Sequence, residues 1–298
     1  MSDSLCRGVI EAAGLTISLA TTSATCRRAQ AVHGLADTSC IALGRLITAS
    51  VLTGFIQNRS GPLSLQILST GRVKQIFADV TESGDVRGYI RPSNFALPRF
   101  PDDQPGGRRS VAAALGKGVL SVIQTDGDAA SRQSATNLIS GEIDVDVEHF
   151  LASSDQIPAA IRCDVLLSDD GTIQTAGGVL IQALPGAVLA RLNEIRDHLG
   201  RGGFARRIAA ANRQPADLLR ALLPDAEVTE PTIPLRWKCR CTNERVINAL
   251  RILDPVELAE MANAGEPVSV HCDFCGQEYR VKPAQLTDLF QSIIKERA

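Results

Sequence analysis

The sequence predicts an α+β fold: an N-terminal mixed α/β core domain, a helical linker, and a small C-terminal zinc-binding domain. Three observations carry this expectation. Residues 1–187 show alternating hydrophobic runs around one long, almost wholly apolar stretch, the pattern of a strand-rich domain with inserted helices. Residues 188–234 change to short amphipathic stretches punctuated by glycine and proline. Residues 235–298 hold four of the eight cysteines as two close pairs, Cys239 with Cys241 and Cys272 with Cys275.

Composition sets the outer bounds. A chain of 298 residues can bury a sizeable core and supports two domains. Its 44% hydrophobic and 21% charged residues are ordinary for a globular protein in water. A net charge of −2 and 4% aromatic residues count against a general nucleic-acid binder. The opening residues lack a charged-then-apolar leader, so a cytoplasmic protein is expected. Residues 40–56 are the one stretch that suggests a membrane. They are shorter than the ~20 residues a span needs and contain Arg45, so a buried helix is expected and no membrane partner.

Taken in order, residues 8–20 read as one strand, rich in β-branched residues. A short helix follows over Thr25–Val32, and Asp37 opens the long apolar helix that runs to about Gln57. Leu63–Leu68, Val73–Val80 and Val86–Ile90 alternate as antiparallel strands, with Ser83-Gly84-Asp85 as a turn. Residues 91–110 carry Pro92, Pro98, Pro101, Pro105, Gly106 and Gly107 and read as a loop, with Arg108 and Arg109 solvated on it. Val119–Gln124 is a strand and Glu142–Ala152 a helix. Ile161–Leu167 and Gly178–Leu184 are strands flanking the Asp169-Asp170-Gly171 turn. Gly177 and Gly178 lack a following lysine-bearing helix start, so they mark a close backbone approach or bulge, not a phosphate cradle.

Val188, Leu192, Ile195 and Leu199 form one stripe of an amphipathic helix that Gly200 and Gly203 end. Ile208, Leu218, Leu219, Leu222 and Leu223 mark further short helices around Pro215, stopped by Pro224. Such helices have few contacts of their own and melt easily. In the last segment Asn243 starts a short helix, and Asp254 caps another with Pro255 at its first position and Gly265 past its end. Val268–Val270 and Tyr279–Val281 are short strands beside the second cysteine pair. Leu286, Leu289, Phe290, Ile293 and Ile294 give the last helix an apolar face.

Four thiolates are what a structural zinc takes, and two close pairs separated by residues 242–271 can be folded around one ion. Cys239, Cys241, Cys272 and Cys275 are therefore the expected ligands of one Zn2+ in the reduced protein. Zinc adds about 10–16 kcal/mol to small finger-like folds, against a net of about 5–15 kcal/mol for a whole domain. Without it, residues 235–298 should unfold. Oxidised, the same sulfurs can close local disulfides, a strained one across Cys239 and Cys241 and another across Cys272 and Cys275. That is the outline of a switch. Cys6, Cys26, Cys40 and Cys163 are scattered and read as structural.

This cysteine pattern, near the end of a chain of this length, resembles the thirty-three-kilodalton heat-shock protein family. The blocks His33-Gly34-Leu35, Leu43–Ala49, Arg87-Gly88-Tyr89, Leu115–Leu120, Ser154–Pro158, Ala176-Gly177-Gly178 and Leu180–Gly186 are similar to family blocks, in family order. The resemblance implies a redox-regulated, ATP-independent holdase and no enzyme. It implies that oxidation forms the disulfides Cys239–Cys241 and Cys272–Cys275 with zinc release, and destabilises the linker at 188–234. It further implies unfolding client proteins as partners, bound by the domain of residues 1–187, and a homodimer in the active form. Arg132-Gln133-Ser134 and Asp155 depart from the family pattern at positions that bear on the client or dimer surface. The sequence on its own leaves two rivals: a zinc ribbon that binds nucleic acid, and an enzyme. Four cysteine ligands leave a zinc no open catalytic position, and no helix in a βαβ setting follows Cys275 as a thiol exchanger needs. His271 adjoins Cys272 and is a conceivable substitute ligand.

Overall fold

The computed structural model describes residues 2–56, 61–98, 108–125, 131–200, 203–211, 214–229 and 231–297. The chain divides into two compact units, residues 1–238 and 239–298. The architecture is α+β, as expected.

The first unit opens with a hairpin of β1 (Ser4–Ile10) and β2 (Leu15–Thr21), where the sequence suggested one strand over 8–20. A short turn over Glu11–Ala13, closed by Gly14 at φ 64°, reverses the chain. Then come α1 (Ser23–His33) and α2 (Asp37–Gly54). Every residue of α2 from Thr38 to Thr53 is buried, which is why its sequence is apolar nearly all round. A meander follows: β3 (Leu63–Ser69), β4 (Gln75–Val80) and β5 (Asp85–Arg91). Pro101, Pro105, Gly106 and Gly107 of the expected loop lie outside the described residues. One helical turn, α3 (Ala112–Leu115), leads into β6 (Gly118–Thr125) and β7 (Ser131–Asn137). The sequence did not show β7, because its edge position leaves both faces wet and its residues polar.

The core ends with α4 (Ile143–Ser153), β8 (Ala159–Leu167) and β9 (Ile173–Ala183). Strand β9 starts well before Gly178, so Gly177 and Gly178 lie inside it. A Cβ on Gly177 would fall 2.6 Å from the Ala20 carbonyl oxygen, and one on Gly178 2.6 Å from that of Arg162. The pair marks a close approach to both neighbouring strands, and the register shows no bulge there.

Helices α5 (Leu189–Gly200), α6 (Phe204–Ala211) and α7 (Pro215–Leu222) occupy the expected linker. Three two-residue strands follow: β10 (Glu227–Val228), β11 (Ile233–Pro234) and β12 (Arg236–Trp237). One sheet runs β10-β1-β2-β9-β8, with β11 also on β1; the other runs β12-β5-β4-β3-β6-β7. Helix α2 packs on strands of both sheets and forms the centre of the main core. The other face of the first sheet carries a second apolar cluster, in which Ile17, Leu19 and Ile181 meet Leu192, Ile195, Phe204, Ile208, Leu218 and Leu219 of α5–α7. The 188–234 segment thus lies within the first unit. That unit continues to Lys238 because Leu235 donates to the Asp3 carbonyl and β12 pairs with β5.

Arg45 on α2 is fully buried and donates to Glu142 at 3.0 Å, Asp164 at 3.3 Å and the Arg109 carbonyl at 2.7 Å. Arg108 and Arg109, expected as solvated loop residues, instead pair with Asp144 at 2.6 Å and Asp37 at 3.0 Å. A buried guanidinium needs several acceptors around it, and that demand draws this segment onto the core. Among the described residues, no helix is long and apolar enough to cross a membrane.

The second unit comprises α8 (Asn243–Ala249), α9 (Pro255–Asn263), the hairpin β13 (Val268–His271) and β14 (Glu278–Val281), and α10 (Pro283–Arg297). Asp254 caps α9, accepting from the Val256 amide at 2.8 Å. Its core is small: among the described residues Val246, Leu258, Val281, Leu286, Leu289 and Ile293 are its buried hydrophobic side chains, whereas Ile294 of the expected face is exposed.

Candidate metal centre

Two knuckles bring the four cysteines of the second unit together. Cys239 and Cys241 precede α8, whose first turn is capped by Thr242 accepting from the Arg245 amide. The Arg245 guanidinium also donates to the Arg240 carbonyl at 2.9 Å, which curls the first pair. Cys272 and Cys275 sit on the turn between β13 and β14. There the Cys272 amide donates to Gln277, and the Gly276 amide to the Cys272 carbonyl at 2.8 Å. Gly276 has φ 70°, as the turn demands.

All four Sγ atoms lie within 4.8 Å of one another and could hold a metal ion. Cys239 and Cys272 are 3.6 Å apart, Cys241 and Cys275 3.4 Å. Thiolates about 2.3 Å from a tetrahedral zinc would be separated by roughly 3.8 Å, so the cluster fits with small adjustments. The donor set is all sulfur; among the described residues, His271 is exposed and no part of the group.

The proton affinities inside the cluster are uneven. Burial pushes the Cys241 thiol up, but the Tyr279 hydroxyl, donating to its Sγ at 3.0 Å, and the neighbouring thiols outweigh this and bring it down to about 7. Cys275 is pushed up to about 12, by burial first and then by the facing Cys241 sulfur. Burial also raises Cys239. One sulfur is thus ready as a thiolate while its neighbours donate to it. The sequence shows Tyr279 only as a residue of a short strand. Its position on β14 opposite Val270, four residues after Cys275, aims the hydroxyl at the cluster.

The remaining cysteines behave otherwise. Cys6, Cys26, Cys40 and Cys163 are buried in the first unit. Burial pushes the Cys6 and Cys40 thiols up to about 12 and raises Cys26 and Cys163 as well. A thiol must ionise to bind metal or react with an oxidant readily, so these four are chemically quiet.

Comparison with known proteins points the same way. The family model described as Hsp33 protein matches residues 3–282. The 33 kDa chaperonin of Geobacillus kaustophilus is 33% identical over 281 residues, covering 93% of this chain and 94% of the relative. That of Acaryochloris marina is 33% identical over 304 aligned residues, covering 99% of each chain. The crystal structure of the 33 kDa chaperonin from Thermotoga maritima, 26% identical, superposes with a TM-score of 0.81 over 99% of this chain and 100% of that one.

Proposed function

The chain belongs to the Hsp33 protein family of chaperones, and from that premise we propose that it is an ATP-independent holdase of the cytoplasm, switched on by oxidation. In this reading Cys239, Cys241, Cys272 and Cys275 hold one zinc ion in the reduced protein. A zinc ion held there would supply the charge that keeps these four sulfurs deprotonated yet unreactive and would tie residues 239–298 into a fold. A thiolate attacks an oxidant such as hydrogen peroxide, forming an S–O bond as the O–O bond breaks, to give a sulfenic acid and hydroxide. The paired thiolate then displaces hydroxide, forming Cys239–Cys241 in one knuckle and Cys272–Cys275 in the other. Each disulfide takes two electrons from sulfur and, with two protons from solvent, reduces one peroxide to two waters. Sulfurs joined in this way no longer bind a metal, and a core of six buried hydrophobic side chains among the described residues is too small to hold the unit.

The observation that best supports coupling to chaperone activity is the second apolar cluster of the first unit. Helices α5–α7, in the metastable segment 188–234, bury the outer face of the β1-β2-β9-β8 sheet. Lifting them would expose Ile17, Leu19 and Ile181 together with the apolar faces of the helices themselves. An unfolding client can bury its own exposed side chains against such a surface. The core of residues 1–187 would supply the rest of the client surface, and two such chains would dimerise in the active form. No catalytic step and no nucleic acid enters this reading.

The test compares the reduced, zinc-loaded protein with peroxide-treated, metal-depleted protein, each mixed with a thermally unfolding client and followed by light scattering. Suppression of aggregation only after oxidation, reversed by a thiol reductant, is expected. Equal suppression in both states would leave a chaperone without redox control, and none in either would sink the holdase reading.

A further inference from the structure

We infer that the outer edge of β5 is a binding site for extended client segments carrying an aromatic residue flanked by Arg or Lys, which β12 occupies as an internal mimic. The inference rests on the chaperone reading above and names the surface and the sequence it takes. Strand β5 is the last long strand of its sheet, and only the two residues of β12 pair with its free side among the described residues. Three alternate carbonyls along that side, Gly84 just before the strand and Val86 and Gly88 within it, are satisfied by residues distant in sequence. The Arg236 amide donates to Gly84 at 3.0 Å, the Lys238 amide donates to Val86 at 2.9 Å, and the His33 ring meets the Gly88 oxygen at 3.0 Å. Two of the three acceptors therefore depend on β12. A sheet edge with unfilled acceptors is a template for an added strand.

The edge is also shaped for an incoming chain. Gly84, at φ 76°, has the Pro234 oxygen 2.1 Å from where a Cβ would stand, so any side chain here would push the entering segment away. Next to it, Trp237 packs against the main core and meets the His33 ring edge-on at 6.0 Å. Asp85 is only 5% exposed and receives both Arg236 Nε and Lys238 Nζ, the latter at 3.0 Å. When β12 leaves, it vacates an aromatic slot and strands a nearly buried carboxylate without its cations. A buried charge that has lost its partner is costly, which favours a basic replacement. Two ladder pairs hold β12 weakly, and only Lys238 separates its end from Cys239, the first sulfur of the switch. An Arg-aromatic-Lys segment of an unfolding protein supplies the same three contacts and can pair further along β5.

The probe is a fluorescein-labelled peptide with the sequence of residues 231–238, titrated by anisotropy into the full-length protein in three forms. These are reduced and zinc-loaded, peroxide-treated and metal-depleted, and reduced, zinc-loaded Arg236→Glu, in which the new carboxylate repels Asp85 and frees β12. The probe should bind the second and third forms about tenfold more tightly than the first. Asp85→Ala in the oxidised protein, or Trp→Ala in the probe, should weaken binding about fivefold, the scale of one interface anchor. Failure of the Arg236→Glu protein to bind, or an unchanged affinity in Asp85→Ala, overturns the inference. So does a dimer of the Arg236→Glu protein that excludes the probe, since a second copy would then be the occupant. Light scattering with a client, run in parallel, separates the two readings. Suppression without probe binding removes the edge site alone, whereas probe binding without suppression upholds the edge site and removes the holdase.

Discussion

The two units each contain four cysteines, in opposite circumstances. In residues 1–238 the thiols of Cys6, Cys26, Cys40 and Cys163 are spread through large apolar clusters and act as small hydrophobic side chains. In residues 239–298 the sulfurs are gathered within 4.8 Å, only half-buried, and stand where a larger domain would have its core. The first unit would keep its fold if its cysteines were replaced by other small apolar residues. The second has little else to hold it. Cysteine chemistry here follows surroundings and core size, not residue identity.

The sharpest way to break this contrast is to remove one sulfur from each unit. Cys272→Ser should unfold residues 239–298, a loss on the scale of the ~10 kcal/mol or more that a structural zinc supplies. Limited proteolysis should then cut within that unit and in the coupled 188–234 segment and spare residues 1–187, while Cys40→Ala leaves both units resistant. Equal protection of both units in Cys272→Ser would end the comparison. The stability of the first unit should instead hang on packing and on its buried guanidinium. Arg45→Met takes the buried cation from Asp164 and leaves Glu142 only the longer ion pair with Arg108, and should cost about 3–5 kcal/mol, read as a lowered Tm with zinc content unchanged.

A smaller effect sharpens the account of the metal centre. Tyr279→Phe removes the hydroxyl that donates to Cys241 and should lower metal affinity about tenfold, measured against a chromogenic chelator. The smallest concerns pH. Burial alone would raise the Asp85 carboxyl, but Arg236 and Lys238 more than offset it and hold it below its ordinary value of 3.8. Its contribution to seating β12 is therefore complete above that value and is lost as pH falls through the lower, folded one. Fluorescence of Trp237, the single tryptophan, should change only below about pH 4 and lose that step in Asp85→Asn.

Much of the fold was legible where one physical rule acts locally. Alternation gave β3 and β5, all-round apolarity gave α2, and the Asp254-Pro255 start with Gly265 gave α9. The rule failed where a strand is paired without being buried. Polar β7 and the two-residue strands β10, β11 and β12 exist only because a partner edge is there to receive them. The hairpin of β1 and β2 was hidden because a short turn interrupts what otherwise reads as one apolar strand.

Spacing alone determined that Cys239, Cys241, Cys272 and Cys275 belong together, since two knuckles in one short segment leave few other arrangements. Only the tertiary structure decided what surrounds them and what the rest of the chain does with its charges. Tyr279 reaches Cys241 because β14 folds back on β13, and Arg108 and Arg109 turn inward because a buried Arg45 gathers acids around it. Asp85 meets Arg236 because β12 returns to a strand some 150 positions earlier. A local pattern records the forces acting between neighbours in sequence. Contacts made by long-range return of the chain leave no periodic trace, because each depends on where two distant elements happen to be packed.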